Sequence, residues 1–574
     1  MNNINELYEL WLEKAKDVKE VFDELVSIKG KDDEILDRFY RNLEFGTGGL
    51  RGVIGAGTNR MNVFTVNQAT QGLADYLNEA FENPSIAIAH DSRINSDVFA
   101  KSAAEVLAGN GIKVYFYPEL VPTPMLSFAV RKLGCSSGIV ITASHNPSQY
   151  NGYKCYDEKG YQMTDEGAAK TYAYMQKVDM FTGVKLLSFE KGIENGMIEY
   201  IGKDVYDEFY KAVLDECINP EITKNSDLKI IYTPLNGTGN KPVRHVLSEM
   251  GFKDVTVVPT QENPDGRFPT CPYPNPEIRQ AFEEAIKLAN EIGGDLLLAT
   301  DPDCDRVGIA VNDGGEYKLM TGNEVGVLLA QYLLSCKKES GTLPEKPAII
   351  KTIVTTNLIS AVAEKYNCEI YDLLTGFKYI GELVTELEAK GEVDRYILGM
   401  EESYGYLTGI HARDKDAVNG ASLICEMAAY YKATCGKNLY QIMQDIYDEY
   451  GMYMNTLLNF AFAGAEGMDK MKAIMTELRE NPPKEIAGMK VTKVSDYLNS
   501  VAVDTETGEK TVLTLPKSNV LAYALPGGNG AIIRPSGTEP KIKIYITAVG
   551  KDREAAQALT DEISADMKGF VGVE

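Results

Sequence analysis

Gly138-Ile139-Val140-Ile141-Thr142-Ala143-Ser144-His145-Asn146-Pro147, running on to Asn151-Gly152-Tyr153-Lys154, is the stretch on which the reading of this chain turns. Ile139, Val140 and Ile141 are apolar and β-branched, which marks a buried strand, and Pro147 stops any continuation as strand or helix. Ser144 therefore falls on a turn at a strand end. A lone serine in such a turn usually does no more than hydrogen-bond its own backbone. Here His145 and Lys154, taken as part of the same loop, are groups that can accept the proton of a hydroxyl or draw off its charge, which is what a serine nucleophile requires.

Upstream, Ser85 to Ala89 reads as a strand, followed by His90-Asp91-Ser92-Arg93, a helix through Val98, Ala103, Val106 and Leu107, and a second strand from Val114 to Tyr117. The same strand, loop, helix, strand order returns from Lys229 to Val258 and from Ala348 to Leu373. Three such units imply three related α/β domains with mixed sheets, and the segment after about residue 450, which lacks the rhythm, implies an α+β domain. The expected boundaries are 1–204, 205–318, 319–450 and 451–574. Because ligand loops lie at the carboxyl ends of strands in α/β units, each domain is expected to donate one loop to a central cleft. Leu7, Leu10, Trp11, Ala15, Val18, Val21, Phe22 and Leu25 recur at helical spacing and predict one amphipathic helix at the N-terminus.

Composition narrows the function. The 574 residues carry a net charge of −25, which argues against a nucleic-acid surface, since phosphate backbones need clustered Lys and Arg. An acidic chain that takes an anionic substrate must concentrate its cations locally. The nine cysteines stand singly, without a C-x-x-C pair, as expected of reduced thiols in the cytoplasm. No export signal and no apolar window of membrane length is read, so no membrane partner is expected.

Four further loops carry chemistry. Phe45-Gly46-Thr47-Gly48-Gly49-Leu50-Arg51-Gly52 lets backbone approach a ligand and offers the donor fork of Arg51. Asp301-Pro302-Asp303-Cys304-Asp305-Arg306 follows the apolar run Leu296 to Thr300, and a loop curled after Pro302 can turn three carboxylates toward one hard cation, Mg²⁺ being the natural choice. An EF-hand is excluded, because Arg306 and Asn312 stand where Gly and Glu are needed. Glu401 and Ser403 are i and i+2, so on an extended loop they face one side and can pair with adjacent sugar hydroxyls. Arg534-Pro535-Ser536-Gly537-Thr538-Glu539-Pro540-Lys541 gathers the donors a phosphate dianion needs into eight residues.

In order along the chain, these loops resemble those of the α-D-phosphohexomutases, the phosphoglucomutase and phosphomannomutase superfamily. The serine loop is similar to T-A-S-H-N-P, the entry loop to F-G-T-x-G-L-R-G, the metal loop to D-G-D-x-D-R with Pro302 in place of glycine, the sugar loop to G-E-x-S with Met400 in place of glycine, and the last loop to R-P-S-G-T-E-P. His411-Ala412-Arg413-Asp414-Lys415-Asp416 is similar to the family's H-x-R-x-K-D segment, which implies that Lys415 stands beside the transferring oxygen. The resemblance implies interconversion of glucose 1-phosphate and glucose 6-phosphate through a phosphorylated Ser144, with glucose 1,6-bisphosphate as intermediate and activator. It implies Mg²⁺ on Asp301, Asp303, Asp305 and Ser144 with Arg306 behind them, and substrate contacts from Thr375, Gly376, Glu401, Ser403, Arg534, Ser536, Gly537, Thr538 and Lys541. His145 belongs with the catalytic group, and Lys154, Arg51 and Lys415 are all candidates for general acid or base. The same chemistry on mannose or pentose phosphates, hydrolysis, and a catalytically idle sugar-phosphate binder are the alternatives. A monomer or homodimer acting on small sugar phosphates is expected.

Overall fold

Buried apolar runs become the central strands of each sheet. The computed structural model describes residues 2–46, 48–462, 467–536 and 540–572, so Thr47, Gly537 and Thr538 lie outside the described residues. The chain divides into two units, Met1–Thr321 with Ile380–Gly399 and Ser403–Asn438, and Gly322–Tyr379 with Met400–Glu402 and Leu439–Glu574.

The first unit holds two sheets. Strands β1 (Gly49–Val53), β2 (Ser85–His90), β3 (Lys113–Phe116), β4 (Ser137–Ile141), β5 (Tyr150–Asp157) and β6 (Ile198–Tyr200) are ordered β1-β5-β4-β2-β3-β6. β2 is parallel to both β3 and β4, whereas β5 runs antiparallel to β4 and β1. All five residues of β4 are buried, as a strand covered on both faces requires. Strands β7 (Lys229–Thr233), β8 (Asp254–Val257), β9 (Leu296–Thr300), β10 (Val307–Asp313) and β11 (Glu316–Met320) form the second sheet, ordered β11-β10-β9-β7-β8. Here β7 is parallel to β8 and β9, and β10 returns antiparallel beside β9.

Two expectations are corrected. Lys154 is on β5 rather than in the serine loop, opposite Val140 of β4. The single helix expected over Leu7–Leu25 is broken into Asn2–Lys14 and Lys19–Ser27, and a further helix, Asp32–Phe39, follows, which lets Trp11, Leu25, Ile28, Ile35 and Phe39 converge on one cluster. Trp11 is fully buried there, edge-on to Phe39, Phe64 and Phe181.

In the second unit β12 (Ala348–Thr352) lies parallel to β13 (Glu369–Leu373), joined through the helix Leu358–Glu364. The C-terminal sheet is antiparallel and begins with Met452–Ala461 against Lys541–Gly550, followed by Gly530–Pro535, Leu521–Ala524 and three further short strands. Alternation along Lys541–Gly550 puts Ile542, Ile544, Ile546 and Ala548 inside, where they meet Ile563 and Met567 of the helix Arg553–Phe570 in one core cluster. The architecture is α/β with an added α+β segment, as the strand rhythm requires.

Candidate active site

Ser144 sits just past the carboxyl end of β4 with φ of 53°, a left-handed conformation that costs a non-glycine residue on the order of 1–3 kcal/mol. Its N–H donates to Thr142 Oγ1 at 2.9 Å, and the Thr142 hydroxyl donates to Asp91 Oδ2 at 2.6 Å. Its own hydroxyl lies 2.9 Å from Asp301 Oδ2 and 3.1 Å from His145 Nδ1. The His145 ring meets Tyr273 edge-on at 5.9 Å. Burial, and then the nearby cations Arg306 and Arg51, push the His145 pKa well below its ordinary value, so the ring is held in its neutral form.

The metal loop joins β9 to β10. Asp301, Asp303 and Asp305 are buried, and each offers an oxygen within 4.8 Å of the others. Asp301 Oδ1 accepts from the N–H groups of Asp305 and Arg306 at 3.1 and 3.0 Å, so the loop curls around that carboxylate. The curl needs a left-handed residue, supplied by Cys304 with φ of 52°. Asp303 Oδ1 and Asp305 Oδ1 are buried without a hydrogen-bond partner, and a buried carboxylate oxygen left so is costly unless a cation meets it. Burial, then the charges of Asp303 and Asp305, raise the Asp301 pKa well above the carboxylate range. These are the properties of a cup that fits a divalent cation.

Two ammonium groups face the cup. Lys154 Nζ is 2.8 Å from Asp303 Oδ2 and 3.4 Å from Asp305 Oδ2. Lys415 Nζ is 3.1 Å from Asp305 Oδ2 and 2.9 Å from Asp414 Oδ1, and Asp414 Oδ2 accepts from Tyr156 OH at 2.5 Å. Burial works against a charged Lys154, but Asp303 and Asp305 outweigh it and raise its pKa; Asp303 is in turn held below its ordinary value against its own burial by Lys154. Arg306 reaches Glu277 at 2.7 Å. Arg51 is exposed on β1 opposite Gly152. The segment bearing Lys415 is pinned by Asp416, which caps the helix Ala417–Cys435 by accepting from Val418 and Asn419 N–H and also meets His411 Nε2 at 2.8 Å.

The structure thus brings Ser144, His145, Lys154, Asp301, Asp303, Asp305, Arg306 and Lys415 together. Four partners escaped the sequence reading: Asp91 and Arg93 beneath the serine loop, Asp414 beside Lys415, and Thr123, whose Oγ1 donates to Asp303 Oδ2 at 3.0 Å. The signal for the first two was present, since His90-Asp91-Ser92-Arg93 is a polar run directly after a buried strand.

Thr375, Gly376, Glu401, Arg534, Ser536 and Lys541 lie in the second unit, and Ser403 in the first. Thr375 and Gly376 form the turn between β13 and the helix Phe377–Ala389, with Gly376 at φ of 126°. Glu401 is buried at the end of the strand Tyr396–Glu401. The extended loop expected after it is instead a turn, Glu402–Tyr404, with Tyr404 at φ of 66°, so i to i+2 spacing no longer argues that Glu401 and Ser403 face one side. Glu402 accepts from the hydroxyls of Thr352 and Thr355, each at 3.3 Å. Arg534 and Ser536 are partly exposed and Lys541 is exposed; the N–H of Ser536 donates to Lys541 O at 2.7 Å. Burial, then Glu402, pushes the nearby Tyr545 up to about 12.

A serine hydroxyl beside a buried carboxylate cup, with two fixed ammonium groups opposite, is an arrangement that suits phosphoryl transfer. Comparison with known proteins agrees. Residues 42–181, 207–315 and 321–450 match the family descriptions phosphoglucomutase/phosphomannomutase, alpha/beta/alpha domains I, II and III. The chain is 37% identical over 545 residues to a phosphoglucomutase of Staphylococcus aureus, covering 94% of this chain and 95% of that one. Among solved structures, the phosphoglucomutase parafusin of Paramecium superposes with a TM-score of 0.68 at 18% identity, covering 93% and 97% of the two chains. A putative phosphomannomutase from Thermus thermophilus gives 0.67 at 22% identity, covering 92% and 100%. The chain belongs to the phosphoglucomutase/phosphomannomutase family and is a phosphosugar mutase of the isomerase class. Among the described residues no helix is long and apolar enough to cross a membrane.

Proposed function

We propose that this chain interconverts glucose 1-phosphate and glucose 6-phosphate through a phosphorylated Ser144. The observation that carries the reading is the Ser144 hydroxyl 2.9 Å from Asp301 in the carboxylate cup; the activity named for the S. aureus relative supports glucose as the sugar. Asp301, Asp303 and Asp305, with the Ser144 oxygen, would hold Mg²⁺, which when bound neutralises charge on the transferring group. The Oγ–P bond of phosphoserine breaks as an O–P bond forms to the free hydroxyl of the sugar phosphate, whose proton replaces the phosphoryl group on the Ser144 oxygen, giving glucose 1,6-bisphosphate. In the return step the Ser144 hydroxyl loses its proton by way of His145 Nδ1 while its oxygen takes the other phosphoryl group, and the sugar oxygen so released takes up a proton. Lys154, held charged by two carboxylates, and Lys415 stabilise negative charge rather than shuttle protons. Arg534, Ser536 and Lys541, with Gly537 and Thr538, hold the non-reacting phosphate, while Glu401, Ser403, Thr375 and Gly376 read the sugar hydroxyls.

The segments 1–204, 205–318, 319–450 and 451–574 are the proposed domains, in a monomer or homodimer. The nine free thiols support a reducing, cytoplasmic setting. A coupled assay with glucose, mannose and ribose 1-phosphates side by side tests the substrate. Glucose 1-phosphate is expected to lead, with measurable mannose activity; a pentose phosphate that outcompetes both hexoses overturns the glucose assignment.

A further inference from the structure

The His90–Arg93 run does more than end a strand. The Arg93 side chain and the Asp91 carboxylate are completely buried, with Arg93 Nε 3.4 Å from Asp91 Oδ2. From that position one guanidinium serves four backbone carbonyls of the nucleophile loop. Nη1 donates to Pro147 O at 3.0 Å and to Tyr150 O at 3.1 Å, and Nη2 donates to the carbonyls of Ser144 and Asn146. Asp91 works on the same loop through Thr142, whose hydroxyl it accepts and whose oxygen receives the Ser144 N–H. Asp91 is itself fixed by Ser96 Oγ at 2.7 Å and by the Arg93 N–H at 2.9 Å. The peptides on both sides of Ser144 therefore answer to one buried ion pair.

The pair is also enclosed from the second sheet's side. The Phe268 ring covers the guanidinium at 5.0 Å, and Gly266 bridges to Arg93 through the backbone. A Cβ on Gly266 would come within 2.5 Å of Ile94 N, so the approach depends on glycine. A guanidinium suits this task because its planar fork offers five donors in fixed directions, whereas an ammonium is a point charge.

We infer that Arg93, with Asp91 and Thr142, is the positioning device that holds Ser144 in its left-handed conformation and aims its hydroxyl at the carboxylate cup. This rests on the mutase reading above. Arg93 touches no reacting atom, so its loss acts on the transfer step and not on substrate affinity. A merely structural role would show instead as lost stability, with activity per folded molecule intact.

The test uses the full-length enzyme with Mg²⁺. Phosphorylation of Ser144 by glucose 1,6-bisphosphate is followed in single turnovers, and kcat and KM for glucose 1-phosphate in the steady state, for wild type, Arg93→Ala, Arg93→Lys and Thr142→Val. The expected result for Arg93→Ala is a fall of roughly 100- to 1000-fold in kcat and in the phosphorylation rate, with KM within about threefold. Guanidinium ion at millimolar concentration is expected to restore at least about tenfold of the loss, and Arg93→Lys to recover little, since one ammonium cannot reach four carbonyls. Thr142→Val removes one link and is expected to cost about tenfold in the same rate, so the inference stays testable if Arg93→Ala does not fold. A phosphorylation rate within threefold of wild type in Arg93→Ala overturns it, as does a wild-type rate in Thr142→Val. Wild-type enzyme lacking both phosphoserine and turnover would instead end the mutase reading itself.

Discussion

The serine and carboxylate loops of the first unit contrast with the segment of the second that is proposed to hold phosphate. In the first, Ser144 and the three aspartates are 0–4% exposed, and most polar atoms have a fixed partner. In the second, Arg534 and Ser536 are half-buried and Lys541 is exposed. Charge that is to be transferred gains most where dielectric is low and dipoles need not reorganise. A loop that must admit and release a dianion cannot be sealed in the same way. On the proposed function, chemistry falls to strand ends that neighbouring strands brace, and recognition to residues left partly exposed.

That division can be broken at several points. The largest effect is expected for Ser144→Ala, a loss on the order of 10⁴ in turnover; peptide mass spectrometry after incubation with glucose 1,6-bisphosphate should place phosphate on Ser144 and nowhere else, and full turnover in the variant would discard the nucleophile. Asp303→Asn, or excess chelator, should cost about 100- to 1000-fold, and undiminished activity under either condition would mean that the cup serves no metal. Glu401→Ala should lower kcat/KM about tenfold to a hundredfold in both directions, because a charged acceptor on a hydroxyl contributes ~1.5–3 kcal/mol. Phosphorylation of Ser144 should be less affected, and equal loss in both would erase the contrast between the two regions.

The smallest expected effect concerns burial without a cation. Asp157, at the end of β5, has its pKa pushed up to about 7 by burial and then by Glu158. Its folded pKa therefore lies above its unfolded value, and unfolding releases a proton between about pH 4 and 7. Stability attributable to this group is present below pH 4, declines as pH rises and stays low above 7. Asp157→Asn should accordingly stabilise the protein by about 1–2 kcal/mol at pH 8 and leave it unchanged below pH 4; equal denaturation midpoints at pH 8 would show the carboxyl to be solvated.

Much of this was legible in the chain itself. Leu296 to Thr300, Lys229 to Tyr232 and Ile139 to Ile141 are buried strands with polar residues at their carboxyl ends, so the parallel pairs and the two reacting loops could be read from local pattern. The support beneath them could not. Arg93 meets Ser144 across 51 positions only because β2 and β4 are neighbours, and strand order is not written in periodicity. The turn at Glu402–Tyr404 was missed because a tyrosine gives no sign that it will take a positive φ. In the C-terminal sheet, the alternation of Ile542, Ile544, Ile546 and Ala548 was readable directly after the Arg534–Lys541 motif. Thr47, Gly537 and Thr538 fall outside the described residues, so their placement enters neither side of this account.

One consequence follows from the N-terminal cluster. Trp11 is the single tryptophan among 574 residues, and it is sealed against three phenylalanine rings. The tryptophan emission of the whole enzyme therefore comes from one indole in an apolar pocket. Its colour is a built-in optical gauge of whether the N-terminal helices are seated, readable during catalysis without any added label.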